Sequence, residues 1–310
     1  MIIALIIIGA LLLTFLVPHT FMLCKIFKRF FKRYNPKNIE KVFYKNKTYE
    51  GYWDQYRDAT EWLIKKGYQE VEIKSFDGLK LSGKYFDEGN DKLIIFVHGV
   101  HATPFTNFAV HAKKALENGY NVLLVDQRSH GNSEGKYITY GKYEHRDVLS
   151  WIEFADKLNV ENIYLYGISM GASSVCLASE KIDNPKVKAI VIDSAYTTLR
   201  ELMAFLMKTY HAPEKMFMGP LKYWAKHKAD VCFDDFDTRI ALANNKIPTL
   251  FVHGTTDNVV SKDFLVDNYN ACASFKEELL IDNANHTLAM VVGGNEAFNK
   301  LFNFLKENTK

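Results

Sequence analysis

Apolar and polar residues follow three different patterns along the chain, and each pattern predicts a different kind of element. Residues 50–66 carry apolar side chains at helical spacing, which predicts an amphipathic helix. Residues 71–76 and 79–85 alternate between apolar and polar on either side of Asp77-Gly78, which is typical of a β-hairpin. The third pattern, a series of short unbroken apolar runs, begins after this hairpin.

These apolar runs predict strands that are buried on both faces. Runs rich in Val and Ile are typical of such strands, and helical stretches between them favour parallel pairing. Six runs follow the hairpin, at residues 93–97, 122–125, 163–166, 187–192, 249–252 and 278–281. Together with the hairpin they predict an α/β fold with a mostly parallel sheet of about eight strands.

A segment without strand patterning separates the fourth of these runs from the fifth. Residues 196–246 show helical spacing of apolar side chains instead, which predicts a small helical cap over the sheet. Half of the chain's methionines lie there, at Met203, Met207, Met216 and Met218. Methionine fits irregular apolar ligands and also fills gaps in cores. Lining of an acyl or aromatic pocket and ordinary packing therefore both remain open.

The first 24 residues form an apolar run without a charged side chain. About 20 apolar residues are enough to cross a bilayer as a helix. We therefore expect a transmembrane anchor over residues 1–24, a basic juxtamembrane linker over 25–49 and a folded domain over 50–310. A cleaved signal peptide is the main alternative, but the run lacks the basic start and the small-residue cleavage site of such peptides. A buried helix of a soluble protein is the third interpretation.

Charge is distributed unevenly between the N-terminal region and the rest of the chain. Residues 1–37 contain six basic and no acidic residues, which leaves 33 basic against 36 acidic residues in the remainder. The chain beyond residue 37 has no excess of basic residues, which argues against nucleic-acid binding. The basic residues follow the apolar run, so the positive-inside rule predicts a single-pass membrane protein with a cytoplasmic domain. Aromatic residues lie between these basic residues, at Phe27, Phe30, Phe31 and Tyr34. This mixture predicts either an interfacial segment on anionic lipid or a stop-transfer flank.

The strongest chemical signal lies where the run 163–166 ends. It leads into Gly167-Ile168-Ser169-Met170-Gly171 and then into a stretch of small residues that predicts a helix. A strand, a sharp turn and a helix are the context of a nucleophile elbow, in which small neighbours make room for a strained serine. We therefore predict Ser169 as the nucleophile, with Gly167 and Gly171 shaping the elbow. An ordinary strand-to-helix turn is the alternative.

A nucleophilic serine needs a base, and the base needs an acid that fixes its tautomer. Asp257 lies on the loop after the run 249–252, and His286 lies on the loop after the last run. Both positions are at the carboxyl edge of the predicted sheet, so we predict His286 as the general base and Asp257 as its partner. Asp193 also ends a strand, but that strand comes one before the strand that leads to Asp257, so we favour Asp257 as the acid.

An oxyanion hole requires two backbone amides that point to the developing negative charge. The residue after the nucleophile, Met170, should supply one, and Val100 should supply the other from the loop after the first parallel strand. Gly99 allows close backbone approach there, and His98 is expected to brace the loop.

The four cysteines form no CxxC pair, which indicates buried thiols and weakly favours a reducing compartment. No metal ion or organic cofactor is predicted.

Taken together, these motifs resemble those of the α/β-hydrolases. The resemblance covers roughly residues 70–308 and is closest to the monoacylglycerol lipase and serine aminopeptidase-like branch. The motifs are His98-Gly99, residues 126–133 (DQRSHGNS), residues 167–171 (GISMG), Asp257 and His286. Ser129 departs from the family, which usually has glycine at this position of its Asp-x-Arg-Gly-His-Gly-x-Ser signature. The resemblance implies the order serine, acid, histidine along the chain and acyl transfer through a covalent acyl-enzyme.

The combined hypothesis is a membrane-anchored serine hydrolase that cleaves carboxylic esters, either small soluble esters or lipid-derived acyl esters. Amide, peptide or thioester cleavage by the same residues is the nearest alternative, because a fold does not fix its chemistry. A perhydrolase or haloperoxidase side activity is another. A membrane-tethered binding protein without catalysis is the alternative of a different class.

Overall fold

An eight-stranded sheet forms the centre of this computed structural model, which describes residues 22–36 and 49–309. The strands are β1 (Gln69–Lys74), β2 (Lys80–Phe86), β3 (Lys92–Val97), β4 (Asn121–Val125), β5 (Asn162–Ile168), β6 (Val187–Asp193), β7 (Thr249–Gly254) and β8 (Lys276–Ile281). Their order across the sheet is β1-β2-β4-β3-β5-β6-β7-β8. The β1–β2 and β2–β4 pairs are antiparallel and all other pairs are parallel. The predicted hairpin and the mostly parallel sheet are thereby confirmed.

The central strands read as unbroken apolar runs because both faces of the sheet are covered. All seven residues of β5 are buried. Tyr164 and Tyr166 face one apolar core, whereas Ile163 and Leu165 face the other. Side chains alternate along a strand, so a strand with two buried faces shows no polar positions.

Helices follow most strands and pack on both faces of the sheet. In the described part of the chain they are α1 (22–31), α2 (Trp53–Lys66), α3 (Pro104–Glu117), α4 (Glu144–Asp156), α5 (Met170–Ser179), α6 (Leu199–Thr209), α7 (Glu214–Trp224), α8 (Thr238–Ala243), α9 (Lys262–Ala271) and α10 (Ala289–Glu307). The core around Tyr164 is covered by α2, α3 and α10. The core around Leu165 is covered by α4, α5 and α9.

The chain between β6 and β7 contains helices and loops but no strand. It comprises α6, α7, a single π-helical turn at Ala225–Ala229, and α8. A third apolar cluster there buries Met203, Met207 and Met218, whereas Met216 is 39% exposed. Packing therefore accounts for three of the four methionines in this segment. The limits of the cap, 196–246, stay a prediction.

Part of the predicted linker, residues 25–31, is helical. Residues 22–31 form α1, and its Phe27 and Phe31 are buried in the same cluster as the cap. Residues 1–21 of the predicted anchor and residues 37–48 of the predicted linker lie outside the described residues. Across 22–36 and 49–309, no helix combines the length and apolarity needed to cross a bilayer.

Candidate active site

Ser169 occupies the tight turn between β5 and α5. Its φ of 54° and ψ of −118° lie in a region that is unfavourable for a residue with a side chain. The Ser169 amide donates to the Asp193 carbonyl at 2.8 Å, which ties the turn to the next strand. A Cβ on Gly167 would overlap the Gly171 carbonyl, and a Cβ on Gly171 would overlap the carbonyl of Val97. Only glycine fits either position.

Ser169, His286 and Asp257 form one hydrogen-bonded chain. The His286 Nε2 atom lies 3.0 Å from Ser169 Oγ, and His286 Nδ1 lies 2.7 Å from Asp257 Oδ2. Because Nδ1 faces a carboxylate, it carries the ring proton, and Nε2 is left to accept the hydroxyl proton of Ser169. The loops after β5, β7 and β8 supply the three residues.

The Asp257 carboxylate is held in place from its other side. Its Oδ1 accepts the amides of Val259 at 2.8 Å and Val260 at 2.9 Å. His253 braces the same loop, since its Nε2 donates to the Val260 carbonyl at 3.1 Å and lies 3.7 Å from Asp257 Oδ2. Burial lowers the pKa of His253, so its ring is neutral. His253 therefore supports this loop rather than reacting.

His286 and Asp257 shift each other's pKa in opposite directions. Burial lowers the pKa of His286, but the charge of Asp257 and the hydrogen bond to it outweigh burial and raise the pKa above 6.5. Burial raises the pKa of Asp257, and the charge and hydrogen bond of His286 outweigh it and lower that pKa. The pair is therefore arranged to stabilise a protonated imidazole beside an ionised carboxylate.

Asp193, the rejected alternative, is buried beside the site but makes different contacts. Its carboxylate accepts hydrogen bonds from Ser194 Oγ at 3.0 Å and from Tyr166 OH at 3.2 Å. Burial raises the pKa of Asp193 to about 7. In the described structure His286 Nδ1 donates its hydrogen bond to Asp257 and not to Asp193.

The loop after β3 approaches the serine closely. A Cβ on Gly99 would lie 3.1 Å from Ser169 Cβ, so the backbone itself forms this wall of the site. Val100 is the next residue along the loop, and Met170 is the first residue of α5, where amides have no intrahelical acceptor. These are the two amides predicted for the oxyanion hole. Their role as donors stays a prediction.

Two buried histidines, His98 and His130, hold this loop through hydrogen bonds to its backbone. His98 Nδ1 donates to the Gly99 carbonyl at 2.7 Å, and its Nε2 accepts the Gln127 amide at 3.1 Å. His130 Nε2 accepts the His101 amide at 3.2 Å. Burial lowers the pKa of both His98 and His130, so both rings stay neutral and can accept these bonds. The expectation that His98 braces the loop rather than reacting agrees with these contacts.

The segment 126–133 is an internal support rather than part of the reacting centre. Arg128 forms paired hydrogen bonds with Asp147 at 2.6 and 2.7 Å and with Asp77 at 3.0 and 3.1 Å. Ser129, where the resembled family usually has glycine, has a φ of 62°. This left-handed conformation favours glycine, and Ser129 Oγ donates to the Tyr137 carbonyl at 2.7 Å.

Sequence reasoning missed two parts of the surroundings. Asn107 on α3 accepts the Gly99 amide at 2.8 Å and donates to Tyr49 OH at 3.3 Å. Tyr49 OH in turn lies 3.1 Å from Thr287 Oγ1. These bonds connect the loop after β3 to the residue next to His286. No spacing pattern in the sequence joins these three positions.

The second missed feature is a latch formed by Arg33. Its guanidinium donates to the carbonyls of Gly131 at 2.7 Å, Gly135 at 3.3 Å and Ser133. The Tyr34 amide donates to the Ser129 carbonyl at 2.8 Å. The segment after α1 is thereby fixed to the loop that holds His130. In the sequence, Arg33 cannot be told from the other basic residues around it.

The described residues contain no group of three or more His, Cys, Asp or Glu side chains that could hold a metal ion. The four cysteines are free; Cys176 and Cys272 are buried, whereas Cys24 and Cys232 are partly exposed. Neither observation adds a reacting group to the serine, histidine and aspartate described above.

Comparisons with known proteins agree with this fold. A family model of the alpha/beta hydrolase fold matches residues 92–217. The crystal structure of the Pyrococcus furiosus esterase Pf2001 superposes with a TM-score of 0.65 at 26% identity, covering 78% of this chain and 92% of the esterase.

Two relatives align over shorter stretches. The uncharacterized protein YqkD of Bacillus subtilis is 23% identical over 63% of this chain and 65% of its own length. The thiohydrolase aneE of Aspergillus aculeatus is 32% identical over 36% of this chain and 37% of its own length. The chain thus spans less than two thirds of either of these relatives.

Proposed function

The chain belongs to the α/β-hydrolase superfamily, and from this premise we propose that it is a serine hydrolase of carboxylic esters with Ser169, His286 and Asp257 as its catalytic triad. The observation that carries the proposal is the chain of two hydrogen bonds, 3.0 and 2.7 Å long, from the serine through the histidine to the aspartate. A serine in this setting is activated by its neighbours rather than by its own acidity.

The proposed reaction begins with attack of Ser169 Oγ on the ester carbonyl while His286 Nε2 removes the hydroxyl proton. Asp257 holds the imidazole in orientation and stabilises its charge. The amides of Val100 and Met170 stabilise the negative oxygen of the tetrahedral intermediate. His286 then gives its proton to the leaving alcohol, and an acyl-enzyme remains. Water, deprotonated by His286, attacks the acyl-enzyme, and His286 returns this proton to Ser169 Oγ as the bond to the acyl group breaks and the acid leaves.

Esters are favoured as substrates because the structural neighbour at 26% identity is named an esterase. Thioester cleavage is the second candidate, since the relative aneE is named a thiohydrolase. Both reactions pass through the same acyl-enzyme and differ in the leaving group, so the same triad serves either. Amide or peptide cleavage and a non-catalytic binding role stay further alternatives.

The test is turnover of matched ester and thioester series of increasing acyl chain length by the wild type and Ser169→Ala. We expect the wild type to hydrolyse esters and Ser169→Ala to lose at least about 10³-fold in kcat/KM. Ser150→Ala, which removes a hydroxyl on the outer helix α4, is the matched control. Full ester turnover by Ser169→Ala would contradict the proposal, and turnover of thioesters alone would establish the second candidate.

We further propose that residues 1–24 anchor the protein in a membrane, with the hydrolase domain in the cytoplasm. The support is the charge-free apolar run followed by basic residues. Alkaline extraction of membranes from cells that express the full chain tests this. We expect the protein to stay in the membrane pellet, and its release into the supernatant would contradict the anchor.

A further inference from the structure

A small cleft lies between α1 and the end of the cap helix α7. Its volume is about 160 Å³. Three aromatic side chains form its apolar wall, since the ring centre of Phe27 lies 5.6 Å from that of Tyr137 and 6.2 Å from that of Trp224. Pockets for whole small-molecule ligands usually measure about 300–1,000 Å³. The cleft is therefore too small for a whole ligand and suits a shallow surface contact.

Four exposed lysines surround this aromatic wall: Lys28, Lys32, Lys136 and Lys228. The Nζ atom of Lys136 lies 5.3 Å from the Tyr137 ring centre, and that of Lys228 lies 5.7 Å from the Trp224 ring centre. In the part of the chain that the structure describes, no acidic side chain lines the cleft. Within the described residues, none of the four lysines has a carboxylate oxygen within ion-pairing distance. The four positive charges therefore have no carboxylate partner among residues 22–36 and 49–309.

The surrounding charge makes this cleft distinctive. The chain beyond residue 37 carries 33 basic and 36 acidic residues, so the body is slightly negative on average. The lysine cluster combines α1 and the residue after it, the loop between β4 and α4, and the π-helical turn, which are remote in sequence. A positive patch on a mildly acidic body gives the molecule one face that an anionic surface would attract.

We propose that this cleft docks the hydrolase domain on the anionic phospholipid headgroups of a bilayer. Clusters of four or more basic residues bind anionic lipid surfaces electrostatically. Tyr and Trp are enriched at the membrane interface, where their rings contact the acyl boundary and their polar ends stay hydrated. The four lysines supply the charge complementarity, and Tyr137 and Trp224 supply the interfacial contact. The proposal depends on the proposed membrane anchor only because the anchor would bring the cleft close to a bilayer. It uses none of the triad residues.

The test is quenching of Trp224 fluorescence by brominated lipid, with the full chain reconstituted into vesicles. Neutral vesicles contain phosphatidylcholine alone, and anionic vesicles contain added phosphatidylserine. Trp224→Phe gives the signal of the other tryptophans, which is subtracted. The charge variant combines Lys28→Gln, Lys32→Gln, Lys136→Gln and Lys228→Gln. The matched control combines Lys74→Gln, Lys157→Gln, Lys181→Gln and Lys306→Gln, four exposed lysines that lie outside the cleft.

We expect Trp224 to be quenched in anionic vesicles and much less in neutral ones. The charge variant should lose most of the quenching, the matched control should keep it, and added salt should weaken it. Equal quenching in the two kinds of vesicle, or full quenching of the charge variant, would overturn the proposal. Full loss of quenching on adding millimolar inorganic phosphate at constant ionic strength would also overturn it, because the cleft would then bind free phosphate.

Co-flotation of the protein with the vesicles separates this proposal from the membrane anchor. Flotation with both kinds of vesicle without selective Trp224 quenching would leave the anchor standing and overturn the docking surface. Flotation with anionic vesicles alone, with selective quenching, would support the docking surface without the anchor. Flotation with neither kind would overturn both.

Discussion

The three loops that carry Ser169, His286 and Asp257 are held differently from the N-terminal arm, residues 22–36. Each of these loops follows a parallel strand, and backbone-to-backbone approach at Gly171 fixes the turn at Ser169. The arm is held by the guanidinium of Arg33 and by the buried rings of Phe27 and Phe31. The geometry of Ser169, His286 and Asp257 is thus a consequence of the sheet, whereas the arm is held by side-chain contacts that single substitutions can remove.

This difference leads to distinct expectations for the two regions. Changes at the triad should alter the rate with little effect on stability, because the sheet holds the loops in place. Changes in the arm should alter stability first and the rate second, because Tyr34 of the arm contacts His101 and the loop around His130, which support the site from outside the triad.

The largest effect is expected for Asp257→Asn. The asparagine keeps the size of the side chain but no longer stabilises a protonated His286, so we expect kcat/KM to fall by about 10⁴-fold. The melting temperature should change little. Asp193→Asn is the matched control, since Asp193 is equally buried but bonds to Ser194 and Tyr166. A larger loss in Asp193→Asn than in Asp257→Asn would reverse the assignment of the acid.

An intermediate effect is expected for Arg33→Ala. The substitution removes the three carbonyl contacts of the guanidinium, and a hydrogen bond from a charged group contributes about 1.5–3 kcal/mol. Because the side chain is half-buried, we expect a loss of about 2 kcal/mol in the free energy of unfolding by urea. The value of kcat/KM should fall a few-fold.

Arg29→Ala is the matched control for the latch, because Arg29 lies one helical turn earlier and is exposed. Its effect on stability should stay within about 0.5 kcal/mol. Equal losses of stability in the two variants would mean that the latch contributes nothing specific.

The pH dependence of activity follows from the raised pKa of His286. The proposed base must be neutral to accept the serine proton, so kcat/KM should fall as the pH decreases through a value above 6.5. A pH–rate profile measured on a neutral ester checks this. A profile that stays flat from well above to well below 6.5 would contradict His286 as the base.

The smallest effect is the opposite pH dependence of stability from the same pair. A raised pKa of His286 contributes stability that is present below 6.5 and is lost as the pH rises through the folded-state pKa. The lowered pKa of Asp257 contributes stability that is present above its ordinary pKa and is lost as the pH falls through its lowered folded-state value. Urea unfolding of the wild type and His286→Gln across this range should show the histidine contribution disappear as the pH rises. A contribution that grows with pH would contradict the coupling.

The sequence predicted the sheet and the candidate site because both depend on local patterns. Unbroken apolar runs identified the buried strands, and the loops after three of them contain Ser169, Asp257 and His286. Parallel strands bring their carboxyl ends to one edge, so the residues could be grouped without knowledge of their distances.

The parts that sequence reasoning missed depend on partners that are far away along the chain. Arg33 bonds to carbonyls about 100 residues later, and backbone carbonyls leave no trace in a sequence pattern. Asn107 lies in the first turn of α3 and accepts the amide of Gly99. In the sequence it looks like any other polar residue of a helix, so this contact could not be predicted. The basic residues of α1 were expected in a linker because charge density alone does not show that Phe27 and Phe31 are buried.

Labelling of the full chain with a fluorescent fluorophosphonate tests most directly whether this site is an activated serine. The wild type should form one covalent adduct, which mass spectrometry should map to Ser169, and Ser169→Ala should not be labelled. Absence of labelling in the folded wild type, or equal labelling of Ser169→Ala, would contradict the proposed nucleophile.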